Sequence, residues 1–125
     1  MRLSNVIACP IFNNTNCWDL LLNDLCKQSI TNGFLEIKNK VDTKRDFIPI
    51  KSLLNIFDDL IFGIYSNLTG IINIGSNTTF KISEIANLIA ERYTVFFQKN
   101  IHIKSNFEQK PINEIFEYSS KILPL

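Results

Sequence analysis

The sequence predicts an α/β fold in which at least some strands pair in parallel, and three observations support this class. Short apolar segments alternate with longer amphipathic segments along the 125 residues. Strand-like and helix-like periodicities follow one another in the order that is typical of α/β proteins. The composition, with 46% hydrophobic and 20% charged residues, is that of a chain able to bury a core. The length suits a single domain spanning residues 1–125.

The N-terminal third is predicted to form a strand, a helix and a second strand. Residues 2–7 are interpreted as a strand leaving a sheet, because Pro10 lacks the N–H needed for continued pairing. The helix follows Trp18 and should end at Asn32–Gly33, a favourable C-cap pair. Residues 34–38 alternate with the period of a half-buried strand. The helix is predicted from apolar residues at helical spacing, namely Leu21, Leu22, Leu25 and Cys26.

The middle of the chain predicts strand, helix and strand again. Residues 45–50 suit a strand, and Pro49 confines it to a sheet edge or a strand end. Ser52 is expected to cap the next helix. Residues 71–74, which follow Gly70, are predicted to form an apolar strand that we expect to be fully buried. The helix carries an apolar stripe of Leu53, Ile56, Phe57, Leu60, Ile61 and Ile64.

The C-terminal part predicts a third helix, a short strand at 101–103 and a weak helical segment at 115–123. Glu84 lies in the first turn of the third helix, where its charge favours the helix dipole. The apolar stripe of this helix is Ile85, Leu88, Ile89 and Tyr93. A single apolar strand at 71–74 flanked by helices would leave an open sheet edge, so further sheet is expected from elsewhere.

Charge and hydropathy exclude several classes of function. Thirteen Lys and Arg against twelve Asp and Glu give a net charge of +1, which creates no field to attract nucleic acid or an anionic membrane. Apolar runs fall far short of the roughly 20 residues of a membrane span. The N-terminus does not resemble a signal peptide, so a cytoplasmic location is expected.

Cysteine usage points to reduced thiols. Cys9, Cys17 and Cys26 are odd in number and lack a two-residue spacing. Neither a disulfide framework nor a metal site is therefore expected.

The sequence offers no cofactor loop and no catalytic group. Glycines at positions 33, 63, 70 and 75 are too scattered for a dinucleotide-binding turn. The sole histidine, His102, has no acid at a spacing that would suggest a catalytic pair. The Tyr-x-x-x-Lys pair of reductases is also absent, because the fourth residues after Tyr65, Tyr93 and Tyr118 are Thr69, Phe97 and Ile122.

Two arginines at strand starts are candidates for ligand binding. Arg2 and Arg45 each begin a predicted strand, and a guanidinium fork can grip a diphosphate through parallel charge-assisted hydrogen bonds. From residue types alone, a surface ion pair of Arg45 with Asp46 or Glu36 is the favoured interpretation.

The order of the motifs favours the ligand interpretation. Arg2, Asn5 and Pro10 look like an Arg-x-x-Asn strand followed by a proline turn, residues 45–48 like an Arg-Asp-Phe-Ile strand, and residues 72–75 like a buried strand ending in Asn-Ile-Gly. Together they resemble the C-terminal portion of extended short-chain dehydrogenases/reductases, the NAD-dependent epimerase/dehydratase family. The segment 16–28 resembles a branch that makes surface-polysaccharide sugars.

The resemblance implies the last Rossmann strands and helices plus a small substrate-binding subdomain, without the N-terminal dinucleotide-binding half. It implies that Asn5 hydrogen-bonds a nucleotide sugar near its sugar or diphosphate, that Asn16 contacts the ligand from a loop, and that Arg45 holds a phosphate. Ala8 and Pro49 depart from the family pattern. Residues 116–119 resemble its last helix.

Two hypotheses follow for function. In the first, the chain recognises a nucleotide sugar but binds no cofactor alone, and NAD(P) belongs to a complete, often homodimeric enzyme with an N-terminal Rossmann half. That enzyme would be an epimerase, a dehydratase or a reductase. In the second, the chain is a free-standing, non-catalytic binding or interaction module.

Overall fold

The structure is a computed structural model that describes residues 1–12 and 14–108. The helix predicted at 115–123 and the segment 116–119 lie outside the described residues. The predicted α/β class is confirmed, because helices and strands alternate and three strand pairs, β1–β5, β2–β4 and β3–β7, are parallel. In chain order the elements are β1 (Arg2–Leu3), β2 (Asn5–Ile7), α1 (Leu21–Thr31), β3 (Phe34–Ile37), β4 (Lys44–Pro49), α2 (Ile50–Ile61), β5 (Asn73–Ile74), β6 (Thr79–Lys81), α3 (Ile82–Phe97) and β7 (His102–Ser105).

The described residues fall into two compact units. The first contains Met1–Cys9 and Lys44–Thr79, and the second contains Pro10–Thr43 and residues 80–108.

In the first unit, the predicted strand at residues 2–7 is present with a break at Ser4. Its first part, β1, pairs with β5, and its second part, β2, pairs with β4 in the register Asn5↔Phe47 and Val6↔Ile48. The core beneath these strands consists of Ile48, Leu53, Ile56, Ile72 and Ile74.

Helix α2 begins directly after Pro49, so the prediction that Ser52 caps it is wrong. Pro49 is the N-cap residue with φ −62° and ψ 140°, and no side chain caps the helix. Proline fixes φ at the value that the chain needs to pass from an extended strand into a helix. Ser52 therefore lies within the first turn.

The apolar stripe of α2 is buried only in part. Leu53 and Ile56 are in the core as predicted, whereas Ile61 is 78% exposed and Ile64 is 65% exposed and lies beyond the helix. The helix stops early because Gly63, with φ +77°, reverses the backbone, and the N–H of Ile64 donates to the Asp59 carbonyl at 2.9 Å. This is the Schellman type of helix end.

The prediction of a fully buried strand at 71–74 is wrong. Ile72 and Ile74 are buried, but Ile71 is 60% exposed, and strand β5 is only Asn73–Ile74. Full burial requires cover on both faces of a strand, and the core of this unit contains Ile72 and Ile74 but not Ile71.

In the second unit, β3 and β7 form a parallel pair with Leu35 opposite Ile103. Leu35 and Ile37 are buried and Glu36 is exposed, which confirms the predicted alternation. Helix α1 ends where predicted, with C-cap Asn32 followed by Gly33 at φ +70°. Helices α1 and α3 pack against each other and against β3.

Helix α3 buries Ile82, Ile85 and Ala86. Glu84 lies in its first turn, as predicted, and its carboxylate accepts a hydrogen bond from the Lys81 N–H at 2.8 Å. The expected burial of Leu88 is wrong, since this residue is 47% exposed. At roughly 100° per residue, Leu88 lies about one third of a turn from the centre of the buried face.

Candidate functional site

The parallel pairing of β2 and β4 brings Asn5 and Arg45 onto one face of the first unit. Asn5 is in register with Phe47, and Arg45 precedes Phe47 by two residues. Side chains two residues apart on a strand share a face, so the Cα atoms of Asn5 and Arg45 are diagonal neighbours roughly 8 Å apart. Two of the residues predicted to bind ligand are therefore adjacent.

Asn5 is tied to the neighbouring strand by its side chain. Its Nδ2 donates a hydrogen bond to the backbone carbonyl of Asp46 at 2.9 Å. A carboxamide has a second N–H and a carbonyl oxygen. The residue is exposed, so these remaining groups are oriented and accessible to a ligand.

Arg45 is exposed, and among residues 1–12 and 14–108 it forms no ion pair. The alternative interpretation of Arg45 as half of a surface ion pair is therefore wrong for these residues. The Asp46 carboxylate cannot reach it easily, because consecutive strand residues point to opposite faces. Arg45 is thus an exposed arginine, and a guanidinium carries the fork of N–H donors that can bind phosphate.

Apolar side chains lie on both faces of the β2–β4 pair. Phe47, directly opposite Asn5 in the ladder, is 7% exposed and is therefore covered. Helix α2 packs on the other face of these strands, where Ile48 and Val6 meet Leu53 and Ile56.

Asp46 is an important residue of this site that the sequence patterns did not identify. It is 1% exposed, and its two carboxylate oxygens accept hydrogen bonds from the N–H and the Oγ of Ser76, both at 3.0 Å. The available signal was an acid placed directly before the buried residues Phe47 and Ile48 in a strand. A carboxylate in such a position needs hydrogen-bond donors.

Ser76 belongs to a tight turn that follows β5. The Thr78 N–H donates to Ser76 Oγ at 3.1 Å, and Asn77 adopts φ +58°, in the left-handed region that asparagine tolerates. The Asp46 carboxylate thus fastens this turn to strand β4.

Asn16, the third predicted ligand residue, lies in the second unit. It is exposed in the loop before α1, and this loop is attached to the helix by a hydrogen bond from Asn23 Nδ2 to the Cys17 carbonyl at 3.2 Å. The structure does not place Asn16 within the same unit as Asn5 and Arg45, and its ligand role stays a prediction.

The described residues do not fit a bound dinucleotide. Gly33 and Gly63 follow helices, and Gly75 leads into strand β6 rather than into a helix. A dinucleotide needs a glycine turn between a strand and the N-terminus of a helix. The glycines of residues 1–12 and 14–108 therefore form no turn that could hold the pyrophosphate of a dinucleotide.

The described part of the chain also lacks a metal-binding cluster and a helix that could span a membrane. Residues 1–12 and 14–108 contain no group of His, Cys, Asp or Glu side chains arranged to hold a metal ion. No helix within those ranges combines the length and hydropathy needed to cross a membrane. The thiols of Cys17 and Cys26 form no disulfide.

Comparison with solved structures identifies where this fold occurs. It is similar to the NAD-dependent NDP-hexosamine 5,6-dehydratase TunA of tunicamycin biosynthesis, with a TM-score of 0.60 and 18% identity over 87% of this chain. It is similar to the UDP-glucuronic acid 4-epimerase of Bacillus cereus, solved with UDP-glucuronic acid and NAD, with a TM-score of 0.62 and 18% identity over 85% of this chain. The UDP-N-acetylglucosamine 4-epimerase of Bacillus cereus gives a TM-score of 0.57 and 20% identity over 96% of this chain. No protein-family model and no curated protein matches the sequence.

These structures are much longer than the region they share with this chain. The matched region covers 33% of the dehydratase, 31% of the glucuronic acid epimerase and 38% of the acetylglucosamine epimerase. The chain thus has the α/β fold of about one third of an NAD-dependent epimerase or dehydratase.

Proposed function

We propose that this chain is the C-terminal, substrate-recognising part of an NAD(P)-dependent nucleotide-sugar epimerase, dehydratase or reductase, and that it is not catalytically competent alone. The observation that supports this most directly is the placement of Asn5 and Arg45 on one face of a parallel strand pair. The fold is that of enzymes whose names specify nucleotide sugars.

Each residue has a distinct role in this proposal. Arg45 binds a phosphate of the nucleotide through two parallel N–H donors, which suits the geometry of phosphate oxygens. Asn5, held by Asp46, uses its remaining amide groups for a sugar hydroxyl or a diphosphate oxygen. Asn16 contributes a contact from its loop. The net charge of +1 means that binding depends on these local groups rather than on a global field.

The outer face of α2 supports the existence of a partner segment. Ile50, Leu54 and Ile61 lie beside the buried stripe of this helix at helical spacing, yet they are 40%, 53% and 78% exposed. An apolar arc that is only half covered is typical of a surface that packs against further polypeptide. In our proposal that polypeptide is a dinucleotide-binding half, which supplies the NAD(P) site and the catalytic residues.

NAD(P) in the complete enzyme would supply hydride transfer at a sugar carbon. The part played by this chain is to bind and orient the nucleotide sugar. The cytoplasmic location predicted from the N-terminus fits a soluble nucleotide-sugar enzyme, and it remains part of the proposal.

The proposal is tested by titrating the ¹⁵N-labelled chain with UDP-glucose and UDP-N-acetylglucosamine. We expect saturable shifts of the Asn5 side-chain amide and of the Arg45 Nε–H, and no shifts with uridine, which lacks phosphate. Arg92→Ala, which removes an exposed arginine of the second unit, is the matched control and should titrate like the wild type. A wild-type spectrum unchanged by millimolar nucleotide sugar would contradict the proposal.

The competing hypothesis of a free-standing module makes a different prediction for the unliganded chain. A complete module should unfold cooperatively and bind little hydrophobic dye, whereas a part with an uncovered α2 face should bind the dye strongly. Replacement of Leu54 and Ile61 by glutamine should reduce dye binding if the α2 face is responsible.

A further inference from the structure

The Asp46 carboxylate is the only charged group among residues 1–12 and 14–108 that the structure buries almost completely. Its partners are the N–H and hydroxyl of Ser76. Because both donors are neutral, the carboxylate is stabilised by fixed dipoles and not by a counter-charge. Its geometry is therefore sensitive to the exact placement of those two donors.

Asp46 is connected to both proposed ligand residues, to Asn5 by a hydrogen bond and to Arg45 by a peptide bond. Its backbone carbonyl accepts the hydrogen bond from Asn5 Nδ2, and its peptide N is bonded to the carbonyl carbon of Arg45. A rotation of the Asp46 backbone would move the anchor of Asn5 and the Cα of Arg45 together.

Residue 46 lies at the start of the segment of β4 that pairs with β2, directly before Phe47, the partner of Asn5. The two hydrogen bonds to Ser76 attach its side chain to the turn that follows β5.

We infer that Asp46 is a positioning residue that sets the spacing and orientation of Asn5 and Arg45 for a nucleotide sugar. The inference rests on the proposed function. Asp46 does not touch the ligand, because its side chain points to the face opposite Arg45. It acts by fastening β4 to the turn after β5 through Ser76.

Two substitutions separate positioning from charge. Asp46→Ala removes both hydrogen bonds. Asp46→Asn can keep both, because its Oδ1 accepts from the Ser76 N–H and its Nδ2 donates to Ser76 Oγ, whose hydroxyl then donates to the Thr78 carbonyl, now 3.1 Å away. Positioning therefore predicts that asparagine rescues what alanine loses. A purely electrostatic role predicts that both substitutions have the same effect.

The first measurement needs no ligand. In the wild type, the hydrogen bond to the Asp46 carbonyl should slow hydrogen exchange of the Asn5 side-chain amide. Asp46→Ala should speed this exchange, Asp46→Asn should keep it slow, and the backbone amide of Leu25 in the second unit should stay protected in all three proteins. Unchanged Asn5 exchange in folded Asp46→Ala would overturn the inference.

The second measurement uses UDP-glucose and separates this inference from the proposed function. Asp46→Ala should weaken binding about tenfold, the value of one well-oriented hydrogen bond, and Asp46→Asn should bind within about twofold of the wild type. If the wild type and folded Asp46→Ala bind UDP-glucose with equal affinity, Asp46 is not a positioning residue, and the proposed function still stands. A wild type that binds no nucleotide sugar contradicts the proposed function and, with it, a role for Asp46 in ligand binding.

If Asp46→Ala does not fold, Ser76→Ala takes its place. It removes the Oγ donor and keeps the N–H donor, so the Asn5 exchange rate should lie between those of the wild type and a freely exposed amide. Asn5 exchange identical to the wild type in Ser76→Ala would then overturn the inference.

Discussion

The carboxylate of Asp42 accepts two hydrogen bonds from Ser83, one from its N–H at 2.9 Å and one from its Oγ at 2.6 Å. Ser83 is the second residue of α3, and the N-cap residue Lys81 makes no side-chain cap. Asp42 therefore caps the helix from a distant part of the chain and places its carboxylate at the positive end of the helix dipole.

Removal of this cap should destabilise the second unit. We expect Asp42→Ala to lower the free energy of unfolding by about 1 to 2 kcal/mol, the usual cost of losing an N-terminal cap. Urea denaturation followed by circular dichroism measures the change. Asp42→Asn keeps an acceptor oxygen and should lose less, and equal stability of the alanine variant and the wild type would show that the cap contributes nothing.

Arg45→Ala should weaken binding of a nucleotide sugar by about 1.5 to 3 kcal/mol, or roughly 10- to 100-fold, because a hydrogen bond to a charged group is lost. Isothermal titration calorimetry with UDP-glucose measures this directly. Arg45→Lys keeps the positive charge but loses the fork of N–H donors, so its affinity should lie between those of the wild type and Arg45→Ala. Unchanged affinity in Arg45→Ala would remove the phosphate assignment.

Truncation of Ile48 should destabilise the first unit strongly, whereas truncation of Ile61 should have little effect on its stability. Ile48 is fully buried in the core, and Ile61 is 78% exposed. Ile48→Ala should cost about 2 to 5 kcal/mol of stability through lost burial and a residual cavity. Ile61→Ala makes the same chemical change at the surface and should stay within about 0.5 kcal/mol. Equal costs at the two positions would contradict the assignment of the core.

Gln28 should stabilise the second unit through its side chain. It is 7% exposed, its Oε1 accepts a hydrogen bond from the Glu36 N–H at 2.7 Å, and its Nε2 donates to Asp24 Oδ2 at 2.8 Å. Gln28→Met has a similar size but leaves the Glu36 N–H unpaired, which should cost about 1 to 3 kcal/mol in denaturant unfolding. Asn87→Met, at an exposed position of α3, is the control and should be nearly neutral.

Cys26 should react slowly with alkylating reagents in the folded chain. Burial of the thiol raises its pKa, although part of the residue is exposed. A raised pKa leaves less of the reactive thiolate at any pH below it. In a variant with Cys9→Ser and Cys17→Ser, the pH midpoint of iodoacetamide alkylation should lie higher in the native protein than in urea. Coincident midpoints would show that the fold does not protect the thiol.

Local sequence patterns predicted the elements whose boundaries depend on local chemistry. The alternation of Leu35, Glu36 and Ile37 identified β3, and Gly33 marked the end of α1, because its positive φ is unfavourable for other residues. The fold class followed from the alternation of such elements.

The errors have a common physical origin in tertiary context. Ser52 is a better intrinsic cap than Pro49, but the strand pairing of β4 extends to Pro49 and fixes the start of α2 there. Periodicity indicates which side chains can be buried, and it cannot indicate whether another layer covers them. Ile71 and Leu88 are exposed for that reason.

Two residues of the candidate site, Asn5 and Arg45, could be predicted from the sequence, and Asp46 and Ser76 could not. Asn5 and Arg45 were identified through motif order, and the structure places them on adjacent strands. The bond between Asp46 and Ser76 joins residues 30 positions apart, and no local pattern encodes a contact over that separation. A buried acid inside an apolar strand is a signal that some distant donor must exist, without specifying which one.

The parallel pairing of β3 with β7 has a consequence for biosynthesis. Residues 38–101 separate the two strands, so at 5 to 20 residues per second the ribosome completes β3 roughly 3 to 13 seconds before its partner. An unpaired strand edge is prone to aggregation during such an interval. Gln28 lies only eight residues before Glu36, and its Oε1 accepts a hydrogen bond from the Glu36 N–H, so this contact can form as soon as β3 is made. Because Glu36 keeps this bond when β7 is paired, the backbone groups of β3 that face β7 stay unpaired until β7 emerges.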